Sequence, residues 1–225
     1  MPPPVRERWA TFDCYGTLVD WNRGIGAELE RLWGRDERPR LLDRYHELER
    51  EIEAETPARP YREVLTLALE RIAQAEALPL AGEEIDVLPR SLPEWPVFAE
   101  VPAALDEARR RGWKLAILSN TDRDFIEASM RRIGVPFELA VVASEIGSYK
   151  PDRRHWDEFF ARTGAEREHH VHVGASLFHD IAPARELGLR SVWINRLGES
   201  ADSPPTRELP DLEHLPDVLD ELIAA

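Results

Sequence analysis

Only one cysteine, Cys14, stands in the 225 residues, so no internal disulfide can form and a reducing compartment suits the chain. No apolar run reaches the about 18 residues that a membrane-spanning helix needs. The opening MPPPVRERWA also lacks the apolar stretch of a signal peptide, and a cytoplasmic location is the expectation. Basic residues are in deficit: 29 Lys and Arg face 43 Asp and Glu, a formal charge of -14. A surface of that sign repels a phosphate backbone, so nucleic-acid binding is not expected, nor is membrane attachment. The expected partner is a small molecule, with a homodimer as the assembly to test.

What is present is an ordinary globular composition, 43% hydrophobic, with enough length to fill a substantial core. Short apolar, β-rich runs recur at 9–12, 115–118, 139–142, 171–173 and 191–194. Amphipathic segments at 102–111, 123–133, 152–163 and 181–187 lie between or beside them, several closed by a glycine such as Gly112, Gly134, Gly164 or Gly188. This is the β-α-β rhythm of a parallel sheet, an α/β fold.

The interval from Trp21 to about Val97 breaks that rhythm. It is rich in Glu, Arg, Leu and Ala and reads as helices at 22–33, 39–55 and 61–77, separated by Gly34, Pro57 and Pro60. So long an insertion after the first strand exceeds a plain crossover and predicts a separate helical cap. The expected division is therefore a discontinuous core, 1–20 and 98–225, and a cap, 21–97. The Glu-rich stretch 47–55 reads as a solvated helix face. Beyond Arg196 the chain reads as loop until a last helix near 215–223.

The chemistry gathers at the strand ends. The stretch TFDCYGTLVDW puts Asp13 at the end of an apolar run, and a carboxylate there costs several kcal/mol to desolvate unless it is paired or used. Later strands run into Ser119-Asn120, into the segment reaching Lys150, and into Ser176 and Asp180. In an open parallel sheet these carboxyl ends form one edge, where ligands bind. Taken singly, each group also reads as a cap, a turn or a solvated residue; their joint placement is what points to a site.

Each residue can be given work there. Asp13 is the candidate nucleophile, and Lys150 a cation that keeps it ionised. Thr17, Ser119 and Asn120 offer donors to a substrate or a developing anion. Asp180 would orient Lys150 or a hydrolytic water. Tyr15, Ser176 and His179 are the expected substrate contacts, and Gly16 permits a sharp turn beside the nucleophile. Cys14, on the opposite face of the strand, reads as core packing. Trp21 and Trp156 are candidate walls of the pocket, and Asp13 and Asp180 are the two carboxylates placed in it.

These residues resemble the haloacid dehalogenase-like hydrolase superfamily over nearly the whole chain. Its four motifs have counterparts in order: FDCYGT with Asp13, LAILSN with Ser119 and Asn120, SYKPD with Lys150, and VGASLFHD ending in Asp180. The resemblance implies a Rossmann-like parallel sheet core, a nucleophilic Asp13 on its first strand and an inserted helical cap domain.

Two positions separate the chemistries within that family. Phosphatase members resemble Asp-x-Asp, whose second acid protonates the leaving alkoxide; here that position is Tyr15. A halide leaves as a weak base and needs no proton, so Tyr15 favours carbon-halogen chemistry. Where phosphatases commonly show Gly-Asp beside magnesium, this chain has Gly174-Ala175, so no metal or other cofactor is expected unless the phosphatase alternative holds, which would bring Mg²⁺.

The first motif looks most like that of L-2-haloacid dehalogenases, in which the aspartate attacks the halogen-bearing carbon and water then hydrolyses the ester. Those enzymes resemble Ser-x-Asn-x-x-Asp in the last motif, where this chain has Ala175, Leu177 and Asp180. Their cap arginine corresponds to Arg50, Arg59 or Arg62. The leading expectation is thus a hydrolase that dehalogenates small 2-haloalkanoic acids; a phosphatase for a small phosphomonoester and a non-catalytic binding protein are the alternatives.

Overall fold

The computed structural model describes residues 6–56, 59–201 and 204–224; Pro57, one of the expected helix breaks, lies outside them. Six strands, β1 (Arg8–Phe12), β2 (Trp113–Ser119), β3 (Leu139–Val142), β4 (His170–Gly174), β5 (Arg190–Ile194) and β6 (Arg207–Leu209), form one parallel sheet. Their order is β3-β2-β1-β4-β5-β6. β1 is central and directly paired to β2 and β4, so the order reverses beside it, which is where open α/β sheets bind ligands.

Alternation along the strands sends side chains to two layers. Ala10, Phe12, Leu115, Val171, Val173 and Val192 pack with α5 (Val101–Arg110) and α10 (Leu215–Leu222). Trp9, Ala116, Leu118 and Val141 face the other way, onto α8 (Arg154–Thr163) and α9 (Ala182–Glu186) through Trp156, Phe159 and Ala184. Helices α6 (Arg123–Ile133) and α7 (Ala143–Ile146) complete this part of the chain.

Between β1 and α5 no named strand occurs among the described residues. Helices α1 (Trp21–Trp33), α2 (Arg38–Glu55), α3 (Tyr61–Ala75) and α4 (Val87–Ser91) fill this stretch, closed by a 3₁₀ turn at Leu92–Glu94. Their apolar faces share a core of Ile25, Leu29, Leu41, Leu48, Ile52 and Leu65, which continues onto Cys14 and Val19. Val19 and Val97 form an antiparallel bridge, so the entry to and exit from the helical segment run side by side.

The expected strands and long helices are present with ends moved by one to a few residues. Three features were not expected. The loop-like tail carries β6, a three-residue edge strand too short to show a period. The short α4 sits in a stretch where Pro89 and Pro93 broke the helical pattern. Leu177–Ile181 form a single π-type turn ahead of α9. Trp156 is not a pocket wall; it is fully buried behind the sheet, because its position on α8 faces β2 and β4.

Candidate active site

Asp13 follows β1 at its carboxyl end, its N–H still bonded to Val173 O on β4. The chain then turns at Gly16, whose φ of +91° is open to glycine and strained for other residues. Trp21 closes over that turn: a Cβ at Gly16 would meet its indole nitrogen at 3.0 Å. The turn brings Thr17 back so that its hydroxyl donates to Asp13 Oδ2 at 2.8 Å and accepts from Ala175 N at 2.9 Å. One hydroxyl thus joins the loops after β1 and β4.

The Lys150 ammonium donates to Asp13 Oδ1 at 2.8 Å and to Asp180 Oδ1 at 2.7 Å. All three groups are buried, and their pKa directions follow from that geometry. Burial raises Asp13 to about 6, against the pull of Lys150 and with the Asp180 charge adding to the rise. Burial also works against the Lys150 ammonium, but its two carboxylate partners outweigh it and hold the group above its ordinary value. Asp180 is held well below the usual carboxylate range: Lys150 and His172 outweigh its burial.

Asp180 is fixed further by Ser176 N, 3.1 Å from Oδ2, and by His172 Nε2, 3.4 Å from Oδ1. Gly174 makes this approach possible, because a Cβ there would lie 2.5 Å from Asp180 Cβ, Cγ and Oδ2. The Asn120 amide clamps the Lys150 backbone, accepting from its N–H at 2.6 Å and donating to its carbonyl at 3.0 Å. Asn120 therefore holds the lysine in place as well as facing the cleft. The buried Ser119 Oγ has no hydrogen-bond partner among the described residues and lines the cleft beside Asp13.

The cleft has a volume of about 530 Å³ and is walled jointly by the sheet edge and by α1 and α2. Tyr15 lines it, but its hydroxyl turns away to Ser129 Oγ at 3.1 Å, and its ring packs between Tyr61 and Trp95. Ser176 Oγ accepts from His179 N and lies 3.1 Å from His179 Nδ1. His179 faces α2, with Nε2 3.7 Å from Glu53 Oε2. Burial lowers the His179 imidazole to about 4, so it is neutral at pH 7.

The 47–55 stretch corrects an expectation. Glu49 and Glu53, one helical turn apart on α2, are buried and line the cleft, so Asp13 and Asp180 are not its only carboxylates. The compensation that a buried carboxyl requires comes from other elements. Tyr61 and Tyr45 hydroxyls donate to Glu49 Oε1 at 2.7 and 3.1 Å, and Asn120 Nδ2 lies 3.4 Å from Glu53 Oε2. Burial pushes Glu49 up to about 7 and, aided by the Glu49 charge, pushes Glu53 well above the carboxylate range. The Tyr45-x-x-x-Glu49 spacing was the available signal; its partner Tyr61 is on another helix.

Of the three candidate cap arginines, Arg50 lines the cleft. Arg62 is spent on Asp122 and Asp124, and Arg59 pairs with Glu63 outside the cleft. The residues do not suit a divalent cation between Asp13 and Asp180, because both facing oxygens are already bonded to one ammonium. No cluster of three or more metal-ligating side chains occurs among the described residues.

A family profile for haloacid dehalogenase-like hydrolases matches residues 8–188. The chain is 30% identical over 202 residues to a phosphoserine phosphatase of Thermus thermophilus, covering 87% of this chain and 76% of that protein. It is also 30% identical over 191 residues to an (S)-2-haloacid dehalogenase of a Pseudomonas species, covering 83% and 82%. A solved L-2-haloacid dehalogenase has the same fold, with a TM-score of 0.85 at 23% identity over 96% of this chain and 100% of that one. An aspartate at the tip of the central strand, a lysine bridging it to a second aspartate and a profile spanning most of the sequence agree: this protein belongs to the haloacid dehalogenase-like hydrolase family.

Proposed function

We propose that the protein hydrolyses the carbon-halogen bond of small 2-haloalkanoic acids, with Asp13 as nucleophile and residues 21–97 as a cap over the core formed by 1–20 and 98–225. The observation that carries this reading is the setting of Asp13: hydrogen-bonded by the Lys150 ammonium, oriented by Thr17, and with no acid two positions later. One Asp13 oxygen attacks the carbon, halide leaves with the bonding electron pair, and an ester remains on Asp13. Water then adds to the ester carbonyl, the hydroxy acid departs with one of the water's protons on its new hydroxyl, and the other proton is released to solvent as the Asp13 carboxylate is restored. The leaving step calls for no proton, which suits a Tyr15 hydroxyl turned to Ser129.

The substrate carboxylate would meet Arg50 at the cleft wall and the free Ser119 hydroxyl. Glu53, pushed well above the carboxylate range by burial, would act as a donor in place of repelling it, and Glu49, raised to about 7, would carry a proton for about half the time at neutral pH. The test is halide release from chloroacetate, fluoroacetate and 2-chloropropionate by pure protein in EDTA. Release that is lost in Asp13→Asn supports the proposal; no release from any of the three overturns it.

A second reading, hydrolysis of a small phosphomonoester, is favoured by the similarity to the Thermus phosphatase and by a protonated Glu53 able to supply the proton an alkoxide needs. Against it stands the ammonium that occupies the space between the two aspartates. Magnesium-stimulated phosphate release, abolished by Asp13→Asn, would promote this reading over the first.

A further inference from the structure

Behind the site runs a buried polar chain that the mechanism above does not use. Thr11 on β1 and His170 and His172 on β4 point to the same side of the sheet, since Trp9 pairs with His170 and Thr11 with His172. Thr11 Oγ1 lies 2.8 Å from His170 Nε2 and 2.9 Å from His172 Nδ1. His172 Nε2 in turn reaches Asp180 Oδ1. All four side chains have no exposed surface, and Trp156, Phe159 and Phe160 pack against the two imidazoles.

Hydrogen-bond accounting gives this chain one direction. Asp180 is an acceptor, held as the carboxylate by Lys150, so the proton of a neutral His172 must sit on Nε2. Its Nδ1 is then an acceptor, and the single hydroxyl proton of Thr11 goes to it. With that proton used, Thr11 Oγ1 can only accept from His170, which places the His170 proton on Nε2 as well. The remaining atom, His170 Nδ1, is buried with no partner among the described residues. A second proton could therefore enter the chain but not leave it at that end, so the chain holds protons in place and does not conduct them.

We infer that His172 is a positioning residue for Asp180: locked as the Nε2–H tautomer by Thr11 and His170, it donates permanently to Asp180 and holds that carboxylate ionised and aimed at Lys150. Asp180 fixes the Lys150 ammonium opposite Asp13, so the orientation of the nucleophile's partner depends on two histidines and a threonine on the sheet's far side. The inference rests on Asp180 belonging to the hydrolase site and not on the identity of the leaving group. The charged and titratable groups facing this chain are Lys150, Asp13 and His155 toward Asp180 and His172, and Arg167 toward His170.

The first test is long-range ¹H–¹⁵N correlation NMR of the labelled full chain, free of substrate. Both His170 and His172 are expected to show a proton on Nε2 alone, unchanged between about pH 5 and about pH 9, the range over which an unlocked imidazole titrates. A proton on His172 Nδ1, or an imidazolium within that range, overturns the inference. The second test follows the Asp180 carboxyl by ¹³C NMR. His172→Leu is expected to raise its titration midpoint by about one pH unit, the effect of losing one donor to a carboxylate. His172→Gln, whose amide reaches as far as Nε2, should restore it. An unmoved midpoint in the leucine variant overturns the inference; if that variant does not fold, the tautomer in the unaltered protein still decides. Both readouts concern protons on the free enzyme and stand apart from the halide-release assay.

Discussion

The Lys150 ammonium donates to Asp13 Oδ1 at 2.8 Å, inside a site where the lysine is almost fully enclosed and the aspartate shows only a small surface to the cleft. Its other bond, to Asp180 Oδ1, makes it a cation shared by two buried carboxylates. Lys150→Met removes that charge and leaves both aspartates facing each other. Loss of one partner from a buried ion pair costs about 3–5 kcal/mol, so denaturant unfolding of the variant should show a loss of at least that size. A change below about 1 kcal/mol, the worth of a surface pair, would mean that the lysine is not enclosed as described.

As the proposed nucleophile, Asp13 must be ionised to attack, and burial raises its pKa to about 6. Activity is therefore expected to rise with pH through about 6 and to fall roughly tenfold for each unit below it. The measurement is kcat/KM for halide release from pH 4.5 to 8. An acid limb centred near the ordinary aspartate value would show that burial does not control this group.

Glu49 gives a stability prediction whose sign can be worked out. Its folded-state pKa is raised from 4.5 to about 7, so between those values the folded protein binds a proton that the unfolded chain has released. Stability from this group is thus fully present below about 4.5 and declines as pH rises through about 7, by on the order of 3 kcal/mol in total. Glu53 is shifted in the same direction and adds to the slope. Unfolding free energies at pH 5 and pH 8 should differ by less in Glu49→Gln than in the unaltered chain; equal slopes would sink the prediction.

Gly174→Ala tests the contact that seats Asp180. The added methyl would meet the Asp180 side chain at 2.5 Å, and that residue is buried and cannot swing aside. Overpacking of this kind costs about 1–3 kcal/mol, and turnover should fall more steeply than stability because the displaced carboxylate no longer holds Lys150. Full activity in the alanine variant would show that the backbone at this point has room to spare.

The parallel sheet was legible because its inner strands are short apolar runs with glycine-closed helices between them, as in LAILSN and VGAS. Asp13, Ser119, Lys150 and Asp180 were legible as strand-end residues, since one edge of such a sheet must collect them. Glu49 and Glu53 were not: a helix rich in glutamate looks solvated until Tyr61 from another helix and Asn120 from β2's end cover two of its carboxyls. His170 and His172 were hidden for a related reason. Their partners are Thr11 and Asp180, which come near only through the pairing of β1 with β4 and the turn after it.

Helix α3 is preceded by Pro60, which offers no side-chain cap, and its first free amides are served from elsewhere: the Asp122 carboxylate accepts from Tyr61 N at 2.9 Å and from Arg62 N at 3.1 Å. Asp122 lies at the end of β2, three residues past Ser119 in the chain. Any rocking of the helical segment away from the sheet must strip these amides of their acceptor, a loss of about 0.5–2 kcal/mol for a helix start. The start of this helix is thereby fastened to the segment that leaves the strand carrying Ser119, so one carboxylate, Asp122, secures the helical segment to the sheet edge.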